Sequence, residues 1–372
     1  MNVLFIEQHP RFIGGSERIS LSICTFLRQR GHSTRLLYET TGNMVGAYAA
    51  VTAGIHQAAV RPLAMRRPLD AARSLFRLRR LLREHRIDVM FTSQLGYISL
   101  LAVAHRLCRV PAVVHLGLSL RFDSSLFRWS MPRIAAAVAP SEHTRQAWLA
   151  AGWPAGRVEV IPNGVDLGRF RPAENPRALR ESVGLPGDGL IVAYVGRMVR
   201  EKGVFTLLQA AALLRARGLA FHLAMVGSSP DGQAEALMAA AAGLGLGPGL
   251  VSIRPATDTP ELFYAAADAV AVPSEWDEPF GLAAIEAMAC GTVPIVSDAG
   301  ILPDIVGPEL ARCVYPRGDP SKLADRLQFI LADASERRAI AGAGLARVRA
   351  CYDLARCGEA YERELERCAR AR

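Results

Sequence analysis

Short apolar segments alternate with amphipathic helical patterns along the chain, and this alternation limits the fold more than any other feature of the sequence. In the first half, strand candidates span 3–7, 34–39, 89–93, 112–116 and 135–140, and helical patterns span 15–30, 68–85 and 141–151. The second half repeats the scheme, with strand candidates at 190–196, 221–227, 250–255, 269–273 and 293–298. Strands that are separated by helices form parallel sheets through right-handed crossovers. The sequence therefore predicts an α/β protein with two Rossmann-like domains.

The length of 372 residues agrees with two domains, each large enough to have its own core. A segment near 162–188 that contains proline and glycine separates the two sets of strands. We expect an N-terminal domain over 1–165, a C-terminal domain over 166–350, and a helix over 351–372 that crosses back to the N-terminal domain. Ligands of such sheets bind at the carboxyl ends of the strands, here in a cleft where the two domains face each other.

Composition argues against several classes of protein. No apolar run approaches the ~20 residues of a membrane-spanning helix. The chain enters its first strand directly, without a basic segment or cleavage site, so we expect no signal peptide. The seven cysteines are an odd number without Cys-x-x-Cys spacing, which favours reduced thiols and gives no zinc site. We therefore expect a cytoplasmic protein without a structural metal.

The stretch EPFGLAAIE, from Glu278 to Glu286, combines the start of a helix with two carboxylates. Phe280 and Gly281 open the helix, and the glycine lets the amides of Gly281 and Leu282 approach a ligand closely. The N-terminus of a helix favours an anion such as a diphosphate. Glu286, inside the helix, is placed to accept hydrogen bonds from ribose hydroxyls. The alternative is an ordinary amphipathic helix between two glutamates, and the motif alone does not decide between them.

A second group of residues points to the same anion. The strand candidate at 190–196 is followed directly by Arg197, and Lys202 comes five residues later. Lysine is rare here, since only Lys202 and Lys322 occur among 44 lysines and arginines. The planar fork of Arg197 can bind phosphate oxygens, and Lys202 supplies a compact point charge. The alternative is that Lys202 is a solvated loop residue.

These motifs, taken in order, resemble the retaining glycosyltransferases of family 4, which have the GT-B fold. The matching stretches are GGSER at 14–18, PSEHTR at 140–145, IPNGVDLGRF at 161–170, GRMVREK at 196–202, and the block from 272 to 300. The resemblance implies transfer of a sugar from a nucleotide-diphosphate sugar, UDP- or GDP-linked, to a glycan or lipid-linked acceptor. It places the enzyme in the synthesis of cell-surface polysaccharide or glycolipid.

The resemblance also implies roles for individual residues. Arg197 and Lys202 would bind the donor diphosphate, together with the turn formed by Phe280, Gly281 and Leu282. Glu278 would contact the transferred sugar and Glu286 the ribose. Gly14 and Gly15 would approach the diphosphate or the acceptor, although the glycine pair also simply permits a tight turn. Asn163 would lie in the segment between the domains.

Retention of anomeric configuration would follow from front-face attack, in which the leaving phosphate assists removal of the acceptor proton. The sequence contains no Asp-x-Asp triplet, which agrees with a transfer that needs no metal and no cofactor besides the donor. One position departs from the family pattern. Relatives often have two histidines in a context such as VHxHG, whereas this chain has Val114-His115-Leu116-Gly117. His115 is therefore either a catalytic residue near the reacting sugar or a histidine of the core.

Charge suggests a location for the protein. The net charge is +9, and the stretch 61–86 holds nine arginines against two acidic residues. A basic amphipathic helix can lie on an anionic leaflet, which predicts peripheral contact with the inner face of the membrane. The alternative is an ordinary solvated helix that packs its leucines inward. Nucleic acid is not an expected partner, because no recognised binding module accompanies the charge.

Two other functions remain open. A GT-B epimerase or phosphorylase is disfavoured by the Glu278–Glu286 block and by the absence of a pyridoxal-type lysine near the C-terminus. A catalytically weak GT-B protein that binds a partner or lipid is disfavoured by the intact set Arg197, Lys202, Glu278 and Glu286, whereas the missing second histidine favours it.

Overall fold

The computed structural model describes residues 1–10, 15–63, 68–117 and 124–371. The chain divides into two compact units. Unit 1 comprises Met1–Gly164 and Leu354–Arg372, and unit 2 comprises Val165–Asp353. Each unit is built on one parallel sheet with helices in the connections, so the prediction of an α/β protein with two parallel-sheet domains is confirmed.

Unit 1 contains a seven-stranded sheet in the order β3-β2-β1-β4-β5-β6-β7. Its strands are β1 (Asn2–Glu7), β2 (Ser33–Tyr38), β3 (Gly54–Gln57), β4 (Val89–Thr92), β5 (Ala112–His115), β6 (Ala136–Ala139) and β7 (Val158–Val160). Its first six helices are α1 (Gly15–Gln29), α2 (Val45–Val51), α3 (Pro68–Glu84), α4 (Ile98–Cys108), α5 (Ser125–Ser130) and α6 (Glu142–Ala150). Every residue of β4, β5 and β6 is buried, as expected for central strands that are covered on both faces.

Unit 2 contains a six-stranded sheet in the order β10-β9-β8-β11-β12-β13. Its strands are β8 (Ile191–Val195), β9 (His222–Val226), β10 (Val251–Arg254), β11 (Ala269–Val272), β12 (Val293–Ser297) and β13 (Val314–Tyr315). Its helices are α7 (Pro176–Ser182), α8 (Val204–Ala216), α9 (Gln233–Gly243), α10 (Pro260–Ala266), α11 (Leu282–Ala289), α12 (Leu302–Val306), α13 (Pro320–Ala332) and α14 (Ala334–Cys351). Strands β8 and β11 are neighbours in this sheet, so the loops that follow them leave the same edge.

The last helix, α15 (Leu354–Arg370), follows unit 2 in the chain but belongs to unit 1. Its residue Tyr361 is fully buried and meets Phe91 of β4 edge-on, with ring centroids 5.9 Å apart. Gly358 allows α15 to approach α1 closely, since a Cβ there would lie 2.4 Å from the ring of Phe26. None of the helices in the described part of the chain has both the length and the apolar character that crossing a membrane requires.

Candidate functional site

The two predicted anion-binding motifs meet at the carboxyl edge of the sheet in unit 2. Arg197 and Lys202 follow β8, and the loop 273–281 connects β11 to α11. The Lys202 ammonium lies 2.5 Å from Oε1 of Glu278, and both side chains are mostly buried. The structure thus brings together two residues that are 76 positions apart in the sequence.

Further hydrogen bonds hold this pair in place. The Ser274 hydroxyl donates to the Glu278 oxygen that also faces Lys202. The two loops are joined through their backbones, because the amide of Glu275 donates to the carbonyl of Glu201 over 2.9 Å. A mostly buried ion pair is stable only when such additional contacts offset the loss of hydration. The position of the Lys202 ammonium is therefore fixed by the protein.

Two glycines allow neighbouring segments of the chain to approach the loop 273–281 closely. Gly203 has a φ of +70°, and a Cβ there would lie 1.7 Å from the carbonyl oxygen of Pro273. Gly300 has a φ of +58°, and a Cβ there would lie 2.4 Å from the carbonyl oxygen of Glu278. A side chain at either position would displace the loop that carries Glu278.

Helix α11 begins at Leu282, four residues after Glu278 in the chain. Gly281 precedes it with a φ of +91°, a left-handed conformation that favours glycine. The first amides of a helix have no intrahelical acceptor, and Leu282 is the first residue of α11. Glu286 lies in the second turn and is 5% exposed. The geometry therefore offers an anion both amide hydrogens and the positive end of the helix dipole.

Phe280 and Arg197 have different surroundings. Phe280 is 3% exposed and meets the Tyr352 ring edge-on at 5.8 Å, so its side chain supports the turn from the core. The side chain of Arg197 is 36% exposed, and its nearest acidic partner, Glu201, lies 3.8 Å away. The Tyr194 hydroxyl donates to the backbone carbonyl of Arg197 over 2.5 Å, which fixes the backbone there. The guanidinium itself can still reach a ligand.

His115, at the end of β5 in unit 1, is 1% exposed. Its Nδ1 forms a hydrogen bond of 2.7 Å with the Tyr361 hydroxyl, and burial lowers the pKa of the imidazole to about 4. The ring is thus buried, neutral near pH 7 and bound to a core tyrosine, which agrees with the interpretation as a histidine of the core, and its catalytic role stays a prediction.

The remaining predicted residues lie in unit 1. Gly14 falls outside the described residues, and Gly15 is the first residue of α1. Asn163 is 5% exposed and lies next to the boundary of the unit at Gly164. Its Oδ1 is buried and accepts no hydrogen bond within the described ranges.

The sequence pattern around Glu7 indicates only an apolar strand, so it did not mark Glu7 as a candidate residue. It ends β1, is 1% exposed, and accepts hydrogen bonds from Ser20 at 2.7 Å and Ser93 at 3.2 Å, both on Oε1. Its other carboxyl oxygen has no partner among the residues described. Burial raises the pKa of this carboxyl to about 8. Nothing in the local sequence reveals this, because the burial depends on α1, α2 and β4.

A cluster of side chains of the types that bind metals occurs in unit 1. The potential ligand atoms of His32, Glu362 and Glu366 lie within 4.8 Å of one another. Both ring nitrogens of His32 are engaged, Nδ1 with the terminal amine of Met1 at 3.1 Å and Nε2 with Glu362 at 2.7 Å. Arg30 also pairs with Glu362 at 3.3 Å. The cluster is an ion-pair network that ties α15 to the start of β2.

Two family models match the chain, and together they cover most of it. The model described as "Glycosyltransferase Family 4" matches residues 13–169, and the model described as "Glycosyl transferases group 1" matches residues 176–346. The chain belongs to glycosyltransferase family 4. The family that the sequence motifs indicated is thereby confirmed.

Relatives within this glycosyltransferase family match part of the chain. D-inositol 3-phosphate glycosyltransferase from Salinispora arenicola is 40% identical over 199 residues, which is 50% of this chain and 44% of the relative. The protein of the same name from Thermobispora bispora is 35% identical over 230 residues, which is 58% of this chain and 53% of the relative. The chain thus spans about half the length of the curated relatives it matches.

Solved structures match almost the whole of this glycosyltransferase chain. Anabaena HepE in complex with UDP and glucose matches with a TM-score of 0.84 and 21% identity, covering 98% of this chain and 99% of that one. Sucrose-phosphate synthase from Thermosynechococcus elongatus matches with a TM-score of 0.82 and 22% identity, covering 100% of both. These similarities show the fold, and the GT-B prediction is confirmed.

Proposed function

We propose that the protein is a retaining glycosyltransferase that moves a sugar from a UDP- or GDP-sugar to a glycan or lipid-linked acceptor, without a metal ion. The observation that carries this proposal is the contact between Lys202 and Glu278 beside the N-terminus of α11. The synthesis of cell-surface polysaccharide or glycolipid is the process that suits such an acceptor. Because HepE is described in complex with UDP and glucose, UDP-glucose is the first donor to test.

The proposed reaction breaks the bond between the sugar and the diphosphate, and negative charge grows on the leaving oxygen. Groups that are already aimed at this charge stabilise it most, because they need no reorganisation during the reaction. Lys202 has three N–H donors, and its contact with Glu278 leaves others for the diphosphate. Arg197 and the first amides of α11 supply further donors. Glu278 would contact the transferred sugar and Glu286 the ribose.

The low lysine content allows a direct test of this donor site. An amine-acylating reagent can modify two lysines, Lys202 and Lys322, besides the terminal amine. We expect UDP-glucose or UDP to slow acylation of Lys202, because the diphosphate binds its ammonium group. Lys322, whose side chain is 57% exposed, should react at an unchanged rate. Mass spectrometry of peptides reports both rates in one sample. If neither UDP-sugars nor GDP-sugars slow the acylation of Lys202, the proposed function is contradicted.

Transfer should persist in excess EDTA. The leaving-group charge is met by Arg197, Lys202 and a helix N-terminus, so a divalent cation is not needed to neutralise it. The measurement is the initial rate of nucleoside diphosphate release with EDTA, with EDTA plus excess Mg²⁺, and without either. A rate that collapses in chelator and returns with Mg²⁺ would mean that the diphosphate is neutralised by a metal.

We also propose peripheral contact with an anionic membrane through α3. This helix leaves Leu69 and Phe76 72% and 69% exposed, one above the other along the same face. Arg77, Arg79, Arg80 and Arg83 are also exposed on α3. Exposed apolar side chains among arginines can insert between anionic headgroups while the guanidinium groups bind the phosphates.

The protein should sediment with phosphatidylglycerol-rich vesicles at low salt and be released at about 0.5 M salt, because arginine–lipid attraction is screened within a Debye length. Replacing the four arginines by glutamine, or Phe76 by serine, should weaken binding and leave turnover on a soluble acceptor unchanged. Phe329→Ser is the matched control, since Phe329 is also exposed, but on α13 of unit 2. Wild-type protein that stays in the supernatant would identify α3 as an ordinary solvated helix.

The competing function is that of a GT-B protein that binds a partner without catalysis. Donor hydrolysis by the purified protein separates the two, because a non-catalytic scaffold releases no sugar from a nucleotide sugar that it binds.

A further inference from the structure

Trp276 lies in the loop between β11 and α11 and contacts the charged residue of the donor site. The Lys202 ammonium is 4.8 Å from the centroid of the Trp276 ring, while the same ammonium lies 2.5 Å from Glu278. The indole nitrogen Nε1 is buried, and within the described ranges it donates to no acceptor. Trp276 lies within the block from 272 to 300, but no sequence pattern indicated a role for it.

The ring face attracts the ammonium without providing a lone pair. A cation over an aromatic ring gains about 0.5–2 kcal/mol, depending on how far it is removed from water. Glu278 takes one N–H donor of Lys202, whereas the ring fixes the position of the charge by attraction to its π-electrons. A lysine side chain has about 2 kcal/mol of rotamer entropy, so two contacts that restrict it prepare the ammonium for a ligand.

The indole N–H is a second observation that points to a ligand. A buried donor without an acceptor costs about 1–3 kcal/mol, and native structures seldom retain one without a reason. An oxygen of a nucleotide sugar bound beside Lys202 would accept this hydrogen bond. The same indole would then restrict the cation with its face and bind the donor with its edge.

We propose that Trp276 is a positioning residue of the donor site: its ring face holds the Lys202 ammonium, and its Nε1–H donates to an oxygen of the bound nucleotide sugar. This inference rests on the proposed function for its second half. The first half, the ring–ammonium contact, is a property of the protein alone and is tested without any ligand.

Protein labelled with ¹³C-lysine tests the ring contact directly. Two lysine side chains give signals, and Lys202→Arg identifies which one belongs to Lys202. The Lys202 Hε signal should be shifted upfield by the Trp276 ring current relative to the exposed Lys322. Trp276→Leu should abolish this shift, Trp276→Phe should retain part of it, and Trp129→Phe in unit 1 should leave it unchanged. A Lys202 signal that is the same in wild type and Trp276→Leu overturns the positioning role, once thermal melting shows that the variant is folded.

Calorimetry with UDP and with UDP-glucose tests the hydrogen bond. Trp276→Phe keeps an aromatic ring but removes the N–H, so its affinity should fall about 2- to 10-fold if the acceptor is a neutral oxygen and about 10- to 100-fold if it is a charged phosphate oxygen. A loss for both ligands assigns the acceptor to the UDP moiety that they share, and a loss for UDP-glucose alone assigns it to the sugar. Equal affinity in wild type and Trp276→Phe overturns the hydrogen bond but not the proposed function. A wild type that binds neither UDP- nor GDP-sugars overturns the proposed function and the hydrogen bond together.

Discussion

Lys202→Ala and Arg197→Ala should each lower the turnover number about 10²-fold or more, because each removes a cation aimed at the charge of the leaving diphosphate. The two variants differ in their expected side effects. Lys202→Ala leaves the Glu278 carboxylate, 6% exposed, with the Ser274 hydroxyl as its remaining side-chain partner among the described residues, so some loss of stability is expected as well. The side chain of Arg197 is more exposed, and its one ion pair among the described residues is the 3.8 Å contact with Glu201, so its loss should leave the fold intact.

The measurement is the initial rate of nucleoside diphosphate release at saturating donor, together with thermal melting of each variant. Lys322→Ala is the matched control, because Lys322 is exposed on α13 and pairs loosely with Asp325 at 3.5 Å. It should show the wild-type rate. Near-normal turnover in folded Lys202→Ala or Arg197→Ala would exclude that residue from stabilising the leaving group.

The buried strands were predictable because their sequences are short and mostly apolar. β4, β5 and β6 lie within one residue of their predicted ends. In the described part of the chain, the sequence did not indicate β3, β7 and β13, which span two to four residues at sheet edges. A short edge strand needs few apolar side chains, and its pairing depends on the neighbouring strand rather than on its own pattern.

The candidate site was predictable as far as topology determines it. Arg197, Lys202 and Glu278 follow the ends of parallel strands, and such ends meet at one edge of a sheet. The side-chain environment was not predictable in the same way. Phe280 belongs to the same motif yet packs into the core, and Trp276 contacts Lys202 through a loop whose course no periodic pattern encodes. Contacts of this kind depend on which elements surround a residue.

Glu7→Gln should stabilise the protein increasingly as the pH rises. The pKa of the Glu7 carboxyl is raised by burial from 4.5 to about 8 in the folded protein. Between these values the folded state keeps a proton that the unfolded chain releases, so the contribution of Glu7 to stability is complete below about pH 4.5 and is lost as the pH rises through 8. Glutamine cannot ionise, and its side chain has nearly the same shape.

The difference in unfolding free energy between Glu7→Gln and wild type should therefore grow by up to about 1.4 kcal/mol per pH unit between pH 4.5 and 8. Urea titrations at about pH 5.5, 7 and 8.5 measure it. The control is Glu174→Gln, which makes the same substitution at an exposed position of unit 2. A pH-independent difference for Glu7→Gln would show that the carboxyl is not held protonated.

His115 also affects how the stability of the wild type depends on pH, and its effect is opposite to that of Glu7. Burial lowers the pKa of His115 from 6.5 to about 4, so its contribution to stability is complete above pH 6.5 and is lost as the pH falls through 4. Between about pH 4.5 and 6.5 the two groups cancel, because the folded state holds one proton more at Glu7 and one fewer at His115. Above pH 6.5 Glu7 acts alone. Glu7→Gln should therefore convert a decline above pH 6.5 into a plateau, while leaving a rise below pH 6.5 that comes from His115 together with His56 and His222, whose pKa values burial also lowers.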